Sequence, residues 1–235
     1  EVRRKMKHRI DIRGPMIPND YKFYYDFFGM DSTCPNDVKS VLDAVQPGDE
    51  VEVYINSGGG VIDVGSEIYT MLRGRSDVKI YITGEACSAA SIVAMAAYCE
   101  MSPTALMMVH CVSTGANGNH STMEHTAEIL KTADQALSNA YVSKSGMSHE
   151  EVLEMMNHET WLTAEQAKEK HLIDAVMFDE NSMDSLVAAG TGFELPSSEM
   201  LGKIKDVMER TDAREAPVFL LQQKLKFLKL RGEKR

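Results

Sequence analysis

Two residues of this chain sit where hydrolytic chemistry needs them: Ser88, in the segment GEACSAAS, and His110, at the end of LMMVH. A serine nucleophile needs its hydroxyl exposed at a tight turn and a base within reach. It also needs two backbone N–H groups aimed at the oxyanion that forms. Ser88 follows a strand-like segment and a glycine, and it opens a run of small residues with helical character. Its hydroxyl is therefore expected at a strand-to-helix turn, beside the positive end of the helix. The Ala89 amide, next along, is the natural first oxyanion donor. The NSGGG turn, Asn56 to Gly60, ends another strand-like segment, and Gly59 offers a second amide because glycine allows close approach and unusual dihedrals. Taken alone, three glycines also read as a plain turn, and no GKS or GKT follows to make a phosphate-binding loop. His110 ends an apolar segment ahead of a loop, a position that puts an imidazole at a sheet edge. A histidine there reads equally as structural when taken alone; as a base, it is the side chain suited to activating serine near neutral pH.

Competing groups lie close in sequence. Ser91 is a second candidate nucleophile, but helical spacing buries it one turn deeper than Ser88. Cys87 and Cys111 flank the two candidates, and buried cysteines usually act as small hydrophobes. The four cysteines, Cys34, Cys87, Cys99 and Cys111, form no CxxC pair, and a domain of this size needs no disulfide staples. Reduced thiols in a cytoplasm are the simplest account. His8, His120, His125, His149, His158 and His171 lie in polar segments without an HExxH pair, so a zinc peptidase is poorly supported and no metal is expected.

The elements that must position these groups follow from periodicity. HRIDIRG, EVEVYI (Glu50 to Ile55), DVKIYIT (Asp77 to Thr83) and ALMMV (Ala105 to Val109) read as strands. Asp37 to Val45, Val61 to Arg73 and Ser88 to Tyr98 read as helices, with Gly84 making the sharp turn into the last. A long helix is expected from Ser121 to Ser145, ended by Gly146. A capping box of Ser148 with Glu151 opens another over His149 to Met156, and Thr163 with Gln166 opens one more, to Lys170. Alternating strands and helices with right-handed crossovers give an α/β fold.

The chain has 235 residues, 43% hydrophobic and 26% charged, with a net charge of −10. The acidic balance argues against nucleic acid or acidic membranes as partners. No apolar run reaches the roughly 18–20 residues of a membrane span, and no signal peptide is visible. The character changes after Phe178: residues 181–198 read as a linker rich in Gly, Ser and Asp, and residues 199–235 as a helical, basic tail with Leu221, Leu225 and Leu228 on one face. Residues 1–180 form the expected catalytic domain.

The order INSGGG, GEACSAAS, LMMVH and ETWLTAEQAKEKHLID resembles the Clp protease proteolytic subunit, and resembles still more the Clp-like head-maturation proteases of tailed phages and prophages. The resemblance spans about Arg9 to Phe178. It implies a Clp/crotonase-like α/β fold with repeated β-β-α units, a helical oligomerisation segment and a helical C-terminal tail. It implies a serine endopeptidase with Ser88 as nucleophile, His110 as base and the amides of Gly59 and Ala89 as oxyanion donors. The family's third member, usually Asp, falls on Glu159. Asp174 is the runner-up, read as structural, and His158 is disfavoured. A second departure is Gly58, where the family commonly has Pro; it is expected to leave the Gly59 amide usable. The resemblance further implies protein or peptide substrates, with capsid or scaffold proteins as the phage-type case. It implies a homo-oligomeric ring stacked through the long helix, a separate ATP-dependent unfoldase where ATP is needed, and no cofactor. A crotonase-type acyl-CoA enzyme, which shares the fold and the paired amides, and a catalytically silent Clp-like ring subunit remain as alternatives. So does an assembly protein that acts through its basic tail.

Overall fold

The computed structural model describes residues 5–178. These divide into two compact units, one of residues 5–22 with 31–178 and one of residues 23–30. The linker and basic tail expected at 181–198 and 199–235 lie outside the described residues. In the smaller unit, helix α1 (Lys22–Phe28) carries an aromatic set in which the Tyr24 and Phe28 rings lie 4.8 Å apart. It was not anticipated, because its aromatic run lacks a clear 3.6-residue period.

The larger unit is built on a mainly parallel sheet. Strands β1 (Lys7–Arg13), β2 (Glu50–Ser57), β3 (Val78–Cys87), β4 (Tyr98–Met101) and β7 (Ala175–Val176) run parallel and side by side in that order. Their inward residues make the core: Val51, Val53, Ile55, Ile80, Ile82 and Met101 are fully buried. Parallel neighbours need crossovers, and α3 (Ile62–Leu72) and α4 (Ala89–Ala94) supply two of them, with α2 (Pro35–Leu42) preceding β2. Val64, Ile68 and Leu72 form the buried stripe of α3, as the sequence period requires.

β3 is long enough to serve two partners. Its first half, Lys79 to Ile82, pairs with β4, and its last residues, Glu85 to Cys87, pair with β5 (Leu106–Val109). β6 (Thr160–Leu162) then runs antiparallel to β5. Helices α5 (His120–Ser145), α6 (His149–Asn157) and α7 (Ala164–Glu169) complete the unit, and Gly146 ends α5 in the left-handed conformation. Among the described residues no helix is long and apolar enough to cross a membrane. The fold is the α/β class expected.

Three local readings need correction. Gly84 does not turn the chain; it lies inside β3, where a Cβ would stand 2.2 Å from Asn56 Oδ1, so its role is close approach. The register slips between Ile55 and Ser57 at the same level, and the strand runs on to Cys87. The helix after Ser88 stops at Ala94 rather than Tyr98, since Tyr98 to Met101 buries every second residue and is captured by β3 as β4. Strand β6 was not read from sequence, because three residues carry no measurable period.

The Ser148 capping box forms as expected. Ser148 Oγ accepts the Glu151 amide at 3.2 Å, and the Glu151 carboxylate accepts the Ser148 amide at 2.8 Å. Ser148→Ala should lower stability by about 1 kcal/mol, read as a reduced urea midpoint with an unchanged slope.

Candidate active site

Ser88 follows β3 directly and caps α4 with φ 55 and ψ −126, a left-handed backbone that non-glycine residues rarely adopt. The sharp turn lies at Ser88 itself. The Ser88 amide donates to the Met108 carbonyl of β5 at 2.9 Å, so the turn is tied to the strand that leads into His110. Its carbonyl faces the helix and accepts the Ser91 amide at 2.9 Å.

His110 follows β5 directly. Its Nε2 lies 2.8 Å from Ser88 Oγ, within hydrogen-bond range. Twenty-two residues apart in the chain, the two side chains meet because β5 pairs with the last turn of β3. Cys87 is opposite Met108 in that ladder, which puts Ser88 and His110 just beyond adjoining strand ends. Both side chains are partly exposed.

Glu159 stands immediately before β6. The β5–β6 ladder ends at the Val109–Thr160 pair, and His110 and Glu159 are the next residues beyond it in the two segments. Glu159 is exposed, with φ 47, and its Oε1 accepts the Trp161 indole N–H at 3.3 Å. Among the described residues the His110 ring makes its one hydrogen bond to Ser88. Asp174 is held elsewhere: its carboxylate accepts the Cys99 amide at 2.7 Å and pairs with Lys144, which fits its structural reading.

Gly59 is pressed against Ser88. A Cβ on it would stand 2.5 Å from the Cys87 carbonyl oxygen, 2.7 Å from Ser88 Cβ and 3.0 Å from the Ala89 amide, and its φ is +92. Its amide is not free, contrary to the expectation for Gly58-Gly59: it donates to Ser57 Oγ at 3.1 Å, and Ser57 in turn donates to the Gly14 carbonyl. Ala89 is the first residue of α4, where no helix carbonyl is placed to accept its amide.

The rival nucleophiles are placed unfavourably. Ser91 is fully buried, and its hydroxyl donates to the Ser88 carbonyl at 2.6 Å. Burial pushes the Cys87 thiol up to about 12, with the Glu85 charge adding to it. Burial and then Asp134 push Cys111 up to about 11. Neither is a thiolate near neutral pH. Among the described residues no cluster of His, Cys, Asp or Glu could hold a metal ion.

Two polar residues of α5 that sequence reading did not single out reach this region. Asp134 is 8% exposed and its Oδ1 accepts the Val112 amide at 2.7 Å. Tyr141 is 3% exposed and its hydroxyl lies 2.7 Å from Ser91 Oγ. Their seven-residue separation, with buried Ser138 between them, was the available signal: positions on one face of a helix that turns inward.

A family model described as Clp protease matches residues 36–180, a span that contains Gly59, Ser88, Ala89, His110 and Glu159. This chain belongs to the Clp protease family. Two curated relatives, each named ATP-dependent Clp protease proteolytic subunit and from different strains of Bacteroides fragilis, are 37% identical to it over 140 residues. The aligned part covers 58% of this chain and 68% and 64% of theirs.

Gly59→Ala should misplace Ser88 and its neighbouring amide. Left-handed strain of about 1–3 kcal/mol adds to the overlap with Cys87. Labelling of Ser88 by a fluorophosphonate is expected to slow by at least about a hundredfold, measured alongside a urea midpoint that falls.

Proposed function

We propose that the chain is a serine endopeptidase in which Ser88 is the nucleophile and His110 the general base. The observation that carries this reading is the 2.8 Å approach of His110 Nε2 to the hydroxyl of a serine held in a strained strand-to-helix turn. For Ser88 to donate its proton, Nε2 must be unprotonated and the neutral ring must carry its proton on Nδ1. That N–H needs an acceptor, and Glu159, next in register, is the carboxylate assigned to it. Glu159 reaches the ring by exchanging its bond to Trp161 for one to Nδ1, and it then holds the tautomer and stabilises the imidazolium.

Ser88 attacks the peptide carbonyl as His110 takes its proton. The Ala89 amide, and the Gly59 amide once it leaves Ser57, hold the oxyanion. His110 then protonates the leaving amine, and a water activated by the same ring hydrolyses the acyl-enzyme. The catalytic unit is the domain of residues 1–180. Support for a ring of copies comes from α5, which is 26 residues long and exposes Met123 and Ile129 at 40% and 55%. A separate ATP-driven unfoldase is the partner suggested by the names of the relatives. Capsid or scaffold proteins, cut during head assembly in a host cytoplasm, are the substrates suggested by the likeness of the motif set to phage-type members.

A silent ring subunit is the second reading, favoured by the engagement of Glu159 with Trp161 and of Gly59 with Ser57. A crotonase-type acyl-CoA enzyme has no need of the Ser88–His110 contact. Mass spectrometry after fluorophosphonate treatment of the assembled protein separates these readings. The peptidase should gain one adduct on Ser88, absent in Ser88→Ala, and His110→Ala should lose peptide hydrolysis by on the order of 10⁶. An assembled protein that takes up no probe overturns the peptidase. Glu159→Gln should keep the adduct and reduce turnover by about 10²–10⁴, measured with a fluorogenic peptide; an unchanged rate would remove Glu159 from the mechanism.

A further inference from the structure

Helix α5 touches the back of the Ser88–His110 pair at two points. At the first, Ser91 Oγ donates to the Ser88 carbonyl at 2.6 Å and lies 2.7 Å from the Tyr141 hydroxyl. The single Ser91 hydroxyl hydrogen is spent on the carbonyl, so Tyr141 is the donor of the second bond. Burial pushes the Tyr141 phenol up, so it keeps its proton near neutral pH. The amides of Ser91 and Ile92 also reach the Ser88 carbonyl, at 2.9 and 3.3 Å. The carbonyl of Ser88 and the amide of Ala89 belong to one planar trans peptide, whose C=O and N–H point in opposite directions. Holding the carbonyl inward therefore turns the Ala89 N–H outward. At the second point, Asp134 accepts the Val112 amide at 2.7 Å, while the Cys111 amide donates to the Met156 carbonyl of α6 at 3.1 Å. The two residues after His110 are clamped from both helices.

Resting on the serine-peptidase reading, we propose that Tyr141 and Asp134 are positioning residues for the reaction. Tyr141, through Ser91, sets the peptide plane that aims the Ala89 amide at the oxyanion. Asp134, through the Val112 amide, fixes the chain segment that carries His110. Each acts on a different member of the site from one rigid helix, and neither touches the substrate. A stereochemical error of a fraction of an ångström at either point is felt in the transition state before it is felt in substrate binding.

The test uses the full, assembled chain with Tyr141→Phe, Asp134→Asn and Asp134→Ala. Measured for each are kcat and KM on a fluorogenic peptide, affinity for a peptide boronate that forms a tetrahedral adduct, oligomeric state and urea midpoint. Tyr141→Phe should lower kcat and boronate affinity together by about tenfold, with KM within about twofold. Asp134→Asn keeps an oxygen for the Val112 amide and should stay within about threefold of the parent, whereas Asp134→Ala should fall by about tenfold or more. The proposal is overturned if Tyr141→Phe matches the parent in kcat and boronate affinity, or if Asn and Ala at position 134 are equivalent. It is equally overturned if the losses follow only a lowered urea midpoint or a broken oligomer. Should Asp134→Ala fail to fold, the isosteric Tyr141→Phe decides. Failure of the peptidase reading looks different: the parent itself then binds no boronate and cleaves no peptide, and the positioning roles fall with it.

Discussion

The backbone of Ser88 is the constraint on which the rest depends. A serine at φ 55 and ψ −126 costs on the order of 1–3 kcal/mol relative to relaxed backbone, so the surroundings must over-determine it. They do so from three sides. β5 takes its amide, the first turn of α4 together with the Ser91 hydroxyl takes its carbonyl, and Gly59 presses on its side chain. Gly65 extends the same economy of space, since a Cβ there would stand 2.9 Å from Ala89 Cβ. The turn can thus project a hydroxyl towards His110 only because two other elements present no side chain where they cross it. The small residues after Ser88 fit the same demand: Ala89, Ala90, Ser91 and Ala94 are all buried, and Ala89 packs directly against Gly65 of α3.

Once the turn is fixed, the pairing of strands decides what meets it. β3 changes partner along its length, from β4 to β5, and this change brings the end of β5 beside Ser88. β6 then adds on the far side of β5, and Glu159 stands just before it. Ser88, His110 and Glu159 therefore lie just beyond the ends of the neighbouring strands β3, β5 and β6, although they are spread over 72 residues from Ser88 to Glu159. The hydrogen bonds of that ladder are the reason side chains so far apart in the chain hold a common geometry.

Much of this was legible in the residues. The alternation of EVEVYI, the apolar run ALMMV, the stripe of α3, Gly146 at the end of α5 and both capping boxes carry local periods or local chemistry, and each forms where expected to within two residues. Ser88 was legible because a strand end followed by a run of small residues announces a tight turn, and His110 because it closes an apolar segment ahead of a loop. What escaped depends on contacts made far along the chain. Tyr98 looked like the end of an apolar helix until β3 captured Tyr98 to Met101 as a strand, and Gly84 looked like a turn because its close neighbour, Asn56, belongs to another strand. Asp134 and Tyr141 were invisible for the same reason. A polar residue in a long, mixed helix declares its role only when the partner it faces is known.

The placement of Glu159 bears on how the site would run. Its bond to the Trp161 indole is exposed and 3.3 Å long, so water competes with it for the carboxylate. A neutral His110 offers the carboxylate little more than one ordinary hydrogen bond in exchange. The balance changes when the ring takes the Ser88 proton, because the carboxylate then faces an opposite charge as well as a donor. Glu159 stands just before β6, and the proposed exchange is a rotation of its side chain. The Gly59 amide follows the same logic: Ser57 Oγ is a neutral acceptor, and an oxyanion at Ser88 would be a charged one. In the proposed mechanism both partners are weakly committed while the site is neutral and are drawn in as charge develops. Interactions that strengthen only in the transition state are the ones that raise turnover. The groups that must not move, the Ser88 turn and the His110 segment, are those tied to buried partners on β5, α4 and α5.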